Sequence, residues 1–221
     1  MEGNDMITLD NIKEAIDRLN NIWVEPGPNG RKRWQNRDVW QSCIPDKEMM
    51  SGILPIINGL ENVSEMTVLD LGCDAGIWSV VLSQKFKKVI ALDVDETSIE
   101  RTEQTLNVFW DMGFDISNIF VEHNLFEQTY KHNFNDIDAL FAIDGYTNDI
   151  SFFTTHESLV NHLKLLIWSV RENFSLTIEE RNNNVTKIID SFKKYNFLPS
   201  GYRSADYNEV SDIFVGRKNE K

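Results

Sequence analysis

Crosslinking and chelating residues are scarce in this chain of 221 residues. Its two cysteines, Cys43 and Cys73, lie in unlike settings, so neither a disulfide framework nor a zinc site is indicated. Basic residues are also few: 22 Lys and Arg stand against 35 Asp and Glu, for a net charge of −13. Such a chain offers no broad positive field to a phosphate backbone, which makes nucleic acid a poor default partner. The exception is a local basic stretch, "RKRWQNR", at Arg31–Arg37. No run of 18 apolar residues occurs, and the opening "MEGNDMITLD" has neither a basic start nor an apolar core. No membrane span or leader is therefore expected, and the chain reads as cytoplasmic. Internal repeats are missing as well, and "RNNN" at Arg181–Asn184 reads as a solvated loop.

What is present is an ordinary globular composition, 26% charged and 41% hydrophobic. It is enough for one core without staples. The first part of the chain reads as helical. Residues Leu9–Trp23 place Ile12, Ala15, Ile16, Leu19, Ile22 and Trp23 on one face, with Thr8 or Asp10 near the cap. The segment "EPGPNG", Glu25–Gly30, can only be a turn or loop. Further helical patterns follow at Trp34–Ser42 and at Asp46–Leu60, the latter kinked or divided by Pro55. Residues 1–62 are expected to form a helical extension or lid packed on a core unit of residues 63–221.

From Thr67 the texture changes to short apolar runs alternating with helical patterns. The runs are Val68–Leu71, Val89–Asp93, Ile119–Glu122, Ala139–Ile143 and Leu165–Val170, each suited to a fully buried strand. Ile77–Phe86 and Glu96–Met112 are helical, the second capped by Asp95, striped by Ile99, Leu106 and Phe109, and stopped by Gly113. This alternation calls for a parallel sheet covered on both faces. After a helix at Asn184–Tyr195, two last strands, Phe197–Ser204 and Asp212–Arg217, lack room for a crossover and must pair antiparallel.

Such sheets bind ligands beyond the carboxyl ends of their strands. Chemistry is therefore expected on the loops after Leu71, Asp93, Glu122 and Ile143. The first of these is Gly72-Cys73-Asp74-Ala75-Gly76. A dinucleotide turn would carry a second glycine where Asp74 stands, and a carboxylate there would repel a pyrophosphate. Asp70 adds a negative group at the strand end. Together they favour a ligand bearing an ammonium and a sulfonium.

The strings "VLDLGCDAG" and "VIALDVD" resemble the first two motifs of class I S-adenosylmethionine-dependent methyltransferases. The likeness covers Thr67–Ile143 well and the rest in outline. Asp70, Gly72 and Gly76 match the family's acid-x-Gly-x-Gly-x-Gly pattern, while Asp74 departs from it at the middle glycine. The resemblance implies an α/β, Rossmann-like doubly wound, mostly parallel seven-stranded sheet with an antiparallel C-terminal strand and an N-terminal helical extension. It also implies S-adenosyl-L-methionine as cofactor, held at Asp70, Gly72, Cys73, Asp74 and Gly76. Asp93 would accept both ribose hydroxyls, Val94 would face the adenine, Asn124 would accept from the adenine amino group, and Leu125 would add a backbone contact.

Plainer roles compete for several of these residues. Asp70 can cap the turn, Asp95 caps a helix better than it binds ribose, and Cys73 and His123 read as loop or packing residues. Trp78 fits core and pocket wall equally. Asp144, in "FAIDGYTND", is the candidate catalytic residue, as a base, as a metal ligand of the kind seen in catechol-type O-methyltransferases, or as a turn starter with Gly145. No metal is expected otherwise. Tyr146 is a candidate substrate wall. Arg33, Trp34 and Arg37, with Arg31 and Trp40, form either a packed helix with solvated arginines or a lid that clamps an anionic acceptor.

Methyl transfer to a small molecule or a protein side chain is the expected function. Transfer to structured RNA and a non-catalytic cofactor-binding module are the alternatives, with a nicotinamide-dependent dehydrogenase further behind. The acceptor is most simply a small molecule, with neither nucleic acid nor membrane as partner.

Overall fold

The computed structural model describes residues 6–22, 47–123, 136–143, 151–171, 178–203 and 211–219. Their centre is one seven-stranded sheet. In chain order the elements are α1 (Leu9–Ile22), α2 (Lys47–Asn58), β1 (Thr67–Leu71), α3 (Ile77–Ser83), β2 (Lys88–Asp93), α4 (Glu96–Asp111) and β3 (Ile119–His123). They continue with β4 (Ala139–Ala142), α5 (Ser151–Thr155), α6 (Glu157–His162), β5 (Leu165–Arg171), α7 (Ile178–Lys194), β6 (Phe197–Arg203) and β7 (Ser211–Lys218).

The strands lie in the order β3-β2-β1-β4-β5-β7-β6. β1 to β5 run parallel, and β7 is antiparallel to both β5 and β6, so a single strand opposes the rest. The chain moves outward from β1 to β3, then returns to lay β4 on the other side of β1. That reversal falls between β1 and β4, and sheets of this kind bind ligands beyond the carboxyl ends of the strands at such a point.

Two apolar clusters lie on opposite faces, because successive strand residues point to opposite sides. Val68, Val89, Ala139 and Phe141 join α1 to α4, whereas Leu69, Ile90, Leu140 and Ala142 join Phe153, Leu159, Ile188 and Phe192. On the second face Gly216 of β7 is needed for space. A methyl group there would stand 2.5 Å from the Phe192 ring.

The helix ends follow local chemistry. Thr8 caps α1 by accepting from the Asn11 amide at 3.3 Å, while the Asn11 side chain accepts from the Thr8 amide at 2.9 Å. Asp95 caps α4 through the Thr97 amide at 3.1 Å, and Gly113 ends it with φ +89°. α2 runs unbroken through Pro55 and is not divided. Its buried Met50, Ile53, Leu54 and Ile57 hold it in the core, so packing outweighs the missing amide.

Four expectations need correction. α3 ends at Ser83, three residues before Phe86. α7 begins at Ile178 and contains Arg181–Asn184, expected to be loop; its buried Ile188 and Phe192 anchor this helix, and tertiary packing overrides the weak propensity of asparagine. β3 is a sheet edge with Phe120 49% exposed, not a fully buried strand, because only β2 pairs with it. Lys88 Nζ lies 4.5 Å from that ring's centre and covers it. Finally, the buried face of α4 is Ser98, Arg101, Thr102, Thr105, Val108 and Phe109, so the expected stripe is buried only at Phe109. The helical pattern expected at Trp34–Ser42 lies outside the described residues. Among those described, no helix is long and apolar enough to cross a membrane.

Candidate functional site

β1 delivers Asp70 to the carboxyl edge and is followed by a turn with an unusual backbone. Gly72, Asp74 and Gly76 have φ of +77°, +46° and +74°. Glycine adopts that region freely, whereas a residue with a Cβ does so at a cost, smaller for Asp than for most. Gly76 has a second reason to be glycine, since a Cβ would stand 2.7 Å from Thr102 Cγ2. The turn is tied to β2 by the Gly72 and Cys73 amides, which both donate to the Leu92 carbonyl at 2.9 and 3.1 Å.

Asp93 ends β2 beside this turn. Its Oδ2 accepts from the Asp74 amide at 3.0 Å and its Oδ1 from the Asp95 amide at 2.9 Å. An ionised carboxylate offers about four acceptor positions, so one on each oxygen is left beyond these two bonds. Two vicinal hydroxyls suit that remainder. Val94 follows, 38% exposed, with apolar surface for a flat ring. His123, in register with Asp93 on β3, places Nε2 3.0 Å from the Val94 carbonyl and must therefore donate there.

Asp70 is buried and accepts a short hydrogen bond from the Ser79 hydroxyl of α3. Burial pushes its pKa up to about 7, and the charge of Asp93 adds to the rise while the Ser79 bond opposes it. A carboxyl group held in this way favours any cation brought beside it. Burial also pushes the Cys73 thiol well up, helped by the charge of Asp70, and Sγ lies 3.5 Å from Thr102 Oγ1. The Cys73 side chain thus faces α4 as a thiol, not as a nucleophile.

Asp74 has a basic partner that the sequence did not suggest. Arg101 Nη1 lies 3.2 Å from its Oδ1, in an ion pair whose Arg side chain is only 6% exposed. The acidity of the site rests instead on Asp70 and Asp93. Trp78 is core, tilted against Phe141 with ring centres 6.1 Å apart.

The described residues thus bring together Asp70, Gly72, Cys73, Asp74, Gly76, Asp93 and Val94. The expectations for Asn124, Leu125, Asp144, Tyr146, Arg33, Trp34 and Arg37 lie outside them. Among the described residues no group of three His, Cys, Asp or Glu is placed to hold a metal ion. Sequence reasoning missed Ser79, Ser98, Arg101 and Thr102. The available signal was polar residues at 98, 101, 102 and 105, the helical period of a buried face.

A donor with a sulfonium, an ammonium and an adenosine fits this constellation. The buried, cation-seeking Asp70, the unused acceptor positions of Asp93 and the apolar Val94 match its charge, its ribose and its ring.

Comparison with known proteins agrees. The chain shares its fold with magnesium protoporphyrin IX methyltransferase from Synechocystis PCC 6803, solved with bound SAH, at a TM-score of 0.61 and 14% identity, covering 95% of this chain and 97% of that one. Precorrin-6y C5,15-methyltransferase from Geobacter metallireducens GS-15 superposes at 0.59 with 12% identity, over 81% and 92% of the two chains. The methyltransferase domain of bacterial CtHen1-C does so at 0.57 with 16% identity, over 76% and 98%. No curated protein matches the chain in sequence. A family model does, over residues 54–210, and the chain belongs to the FtsJ-like methyltransferases, enzymes dependent on S-adenosylmethionine.

Proposed function

We propose that this methyltransferase acts on a small-molecule acceptor. The observation that carries this reading is the net charge of −13, which disfavours close approach of a polyanion. A second reading, transfer to RNA, is favoured by the family itself, whose typical acceptor is RNA. The stretch Arg31–Arg37 is the part of the chain suited to that role. A cytoplasmic setting is part of the same proposal.

In the proposed arrangement Asp93 takes the ribose hydroxyls, Val94 flanks the adenine, and the backbone of Gly72–Gly76 passes along the methionine part. Asp70 supplies negative charge to its cationic end. Asn124 and Leu125 belong to the adenine side. Asp144, Tyr146, Arg33, Trp34 and Arg37 belong to the acceptor side, with residues 1–62 as a helical extension or lid packed on a 63–221 methyltransferase domain. When bound, the cofactor supplies a methyl group on a good leaving sulfur. The chain then has to align the acceptor and keep water away.

The experiment has two arms. Calorimetry with S-adenosylhomocysteine should give a single site, weakened about tenfold or more by Asp93→Ala, because two hydrogen bonds to one carboxylate are lost. Unchanged affinity would remove Asp93 from the site. Methyl-labelled cofactor is then offered with a low-molecular-weight extract or with total RNA. Label in the extract supports the first reading, and label in RNA that falls steeply with salt supports the second.

A further inference from the structure

Asp74 occupies the left-handed region, which a Cβ makes less favourable than it is for glycine though Asp tolerates it better than most side chains, and three groups of α4 converge on it. Its φ is +46°, between two glycines of similar φ. Thr102 Oγ1 donates to the Asp74 carbonyl at 2.7 Å, Arg101 Nη1 reaches Oδ1 at 3.2 Å, and Ser98 Oγ lies 3.4 Å from the same oxygen. From the other side the Asp74 amide donates to Asp93. The helix that clamps the turn is itself capped by Asp95, two residues beyond Asp93. One helical face therefore sets the turn and the strand-end carboxylate relative to each other.

A guanidinium buried to this depth is costly unless a negative group meets it. Its contact with Asp74 is one Nη1–Oδ1 approach of 3.2 Å, with the Ser98 hydroxyl beside the same oxygen. We propose that Arg101 is a positioning residue for cofactor binding: its ion pair with Asp74 keeps the Gly72–Gly76 turn on the left-handed path that lays it beside Asp93. The inference rests on assigning that turn and Asp93 to the cofactor.

Glycine needs no such support, and this separates positioning from mere packing. In a chain carrying Asp74→Gly the turn keeps its path unaided, and no carboxylate is left behind when Arg101 is removed. S-adenosylhomocysteine affinity is measured by calorimetry for the natural chain, Arg101→Met, Asp74→Gly and the double variant, each checked for folding by thermal melting. Arg101→Met should bind about tenfold more weakly, and the double variant should return to within about threefold of the natural chain. Should Arg101→Met fail to fold, the uncharged Arg101→Gln takes its place, and its deficit must likewise disappear on Asp74→Gly. Natural affinity in the single Arg101 variant, or a double variant as weak as the single one, overturns the proposal. A natural chain that does not bind at all overturns the site assignment, and this inference with it.

Discussion

Where α7 crosses the sheet, the rings of Phe153, Trp168, Phe192, Tyr195, Phe197 and Phe214 meet with little polar chemistry among them. Phe153 lies 4.9 Å from Trp168 and 6.0 Å from Phe192, centre to centre. At the carboxyl ends of β1 and β2 the buried groups are instead Asp70, Ser79, Ser98, Arg101 and Thr102. The aromatic region is stabilised mainly by area removed from water, which is non-directional, with tilted ring contacts adding to it. The polar region gains little from burial and depends on each group meeting a particular partner. Stability thus resides mainly in one part, and the site proposed for the cofactor in the other.

The sharpest way to test that division is at Trp168, fully buried against Phe153. Trp168→Ala should cost about 3–5 kcal/mol in urea denaturation, as large aromatic truncations do. The folded fraction should still bind S-adenosylhomocysteine with unchanged affinity. A fall in affinity would mean that the two regions are coupled.

Asp70 gives the opposite signature. Its pKa is raised from 3.8 to about 7 in the folded chain, so between these values the folded state keeps a proton that the unfolded state has released. Stability of the ligand-free protein should therefore be fully present below about pH 4 as far as this group is concerned. It should fall as pH rises toward about 7, by on the order of 4 kcal/mol. Asp70→Asn should remove that slope in melts across the window. S-adenosylmethionine, bringing positive charge, should bind more tightly at pH 8 than at pH 6 in the natural chain and show no such gain in the Asn variant. A natural chain with no slope would show that Asp70 is ionised without help.

The smallest effect is expected at the cap of α4. Asp95→Ala removes the acceptor for the Thr97 amide and should cost about 0.5–2 kcal/mol in thermal or urea unfolding. Affinity for S-adenosylhomocysteine should weaken too, because the same helix supports Asp74 and its backbone borders Asp93. Loss of stability with intact affinity would make the cap purely structural.

Much of this frame was legible along the chain. Val68–Leu71 and Val89–Asp93 announce buried strands by composition, Asp95 a helix start, and Gly113 a stop. The turn Gly72–Gly76 stands out because two glycines and an acid interrupt an apolar run. The polar face of α4 was not legible in the same way. Apolar periodicity directed attention to Ile99 and Leu106, yet the inward positions were Ser98, Arg101, Thr102 and Thr105. Ser98, Arg101 and Thr102 face a polar turn and not a hydrocarbon surface. The edge position of β3 was equally hidden, since Ile119–Glu122 has the composition of a central strand.

By itself the sequence determined the alternation of strands and helices, the turn that interrupts it, and the residue types at the strand ends. Local dihedral preferences and the period of burial are written in neighbouring residues, so they need no distant partner. Only the tertiary structure decided that Asp74 is neutralised by Arg101, 27 residues away, and that Asp70 is left to Ser79 and a raised pKa. Charge state depends on desolvation and on which groups come within a few ångströms. Those distances do not exist until the sheet has brought separate parts of the chain together.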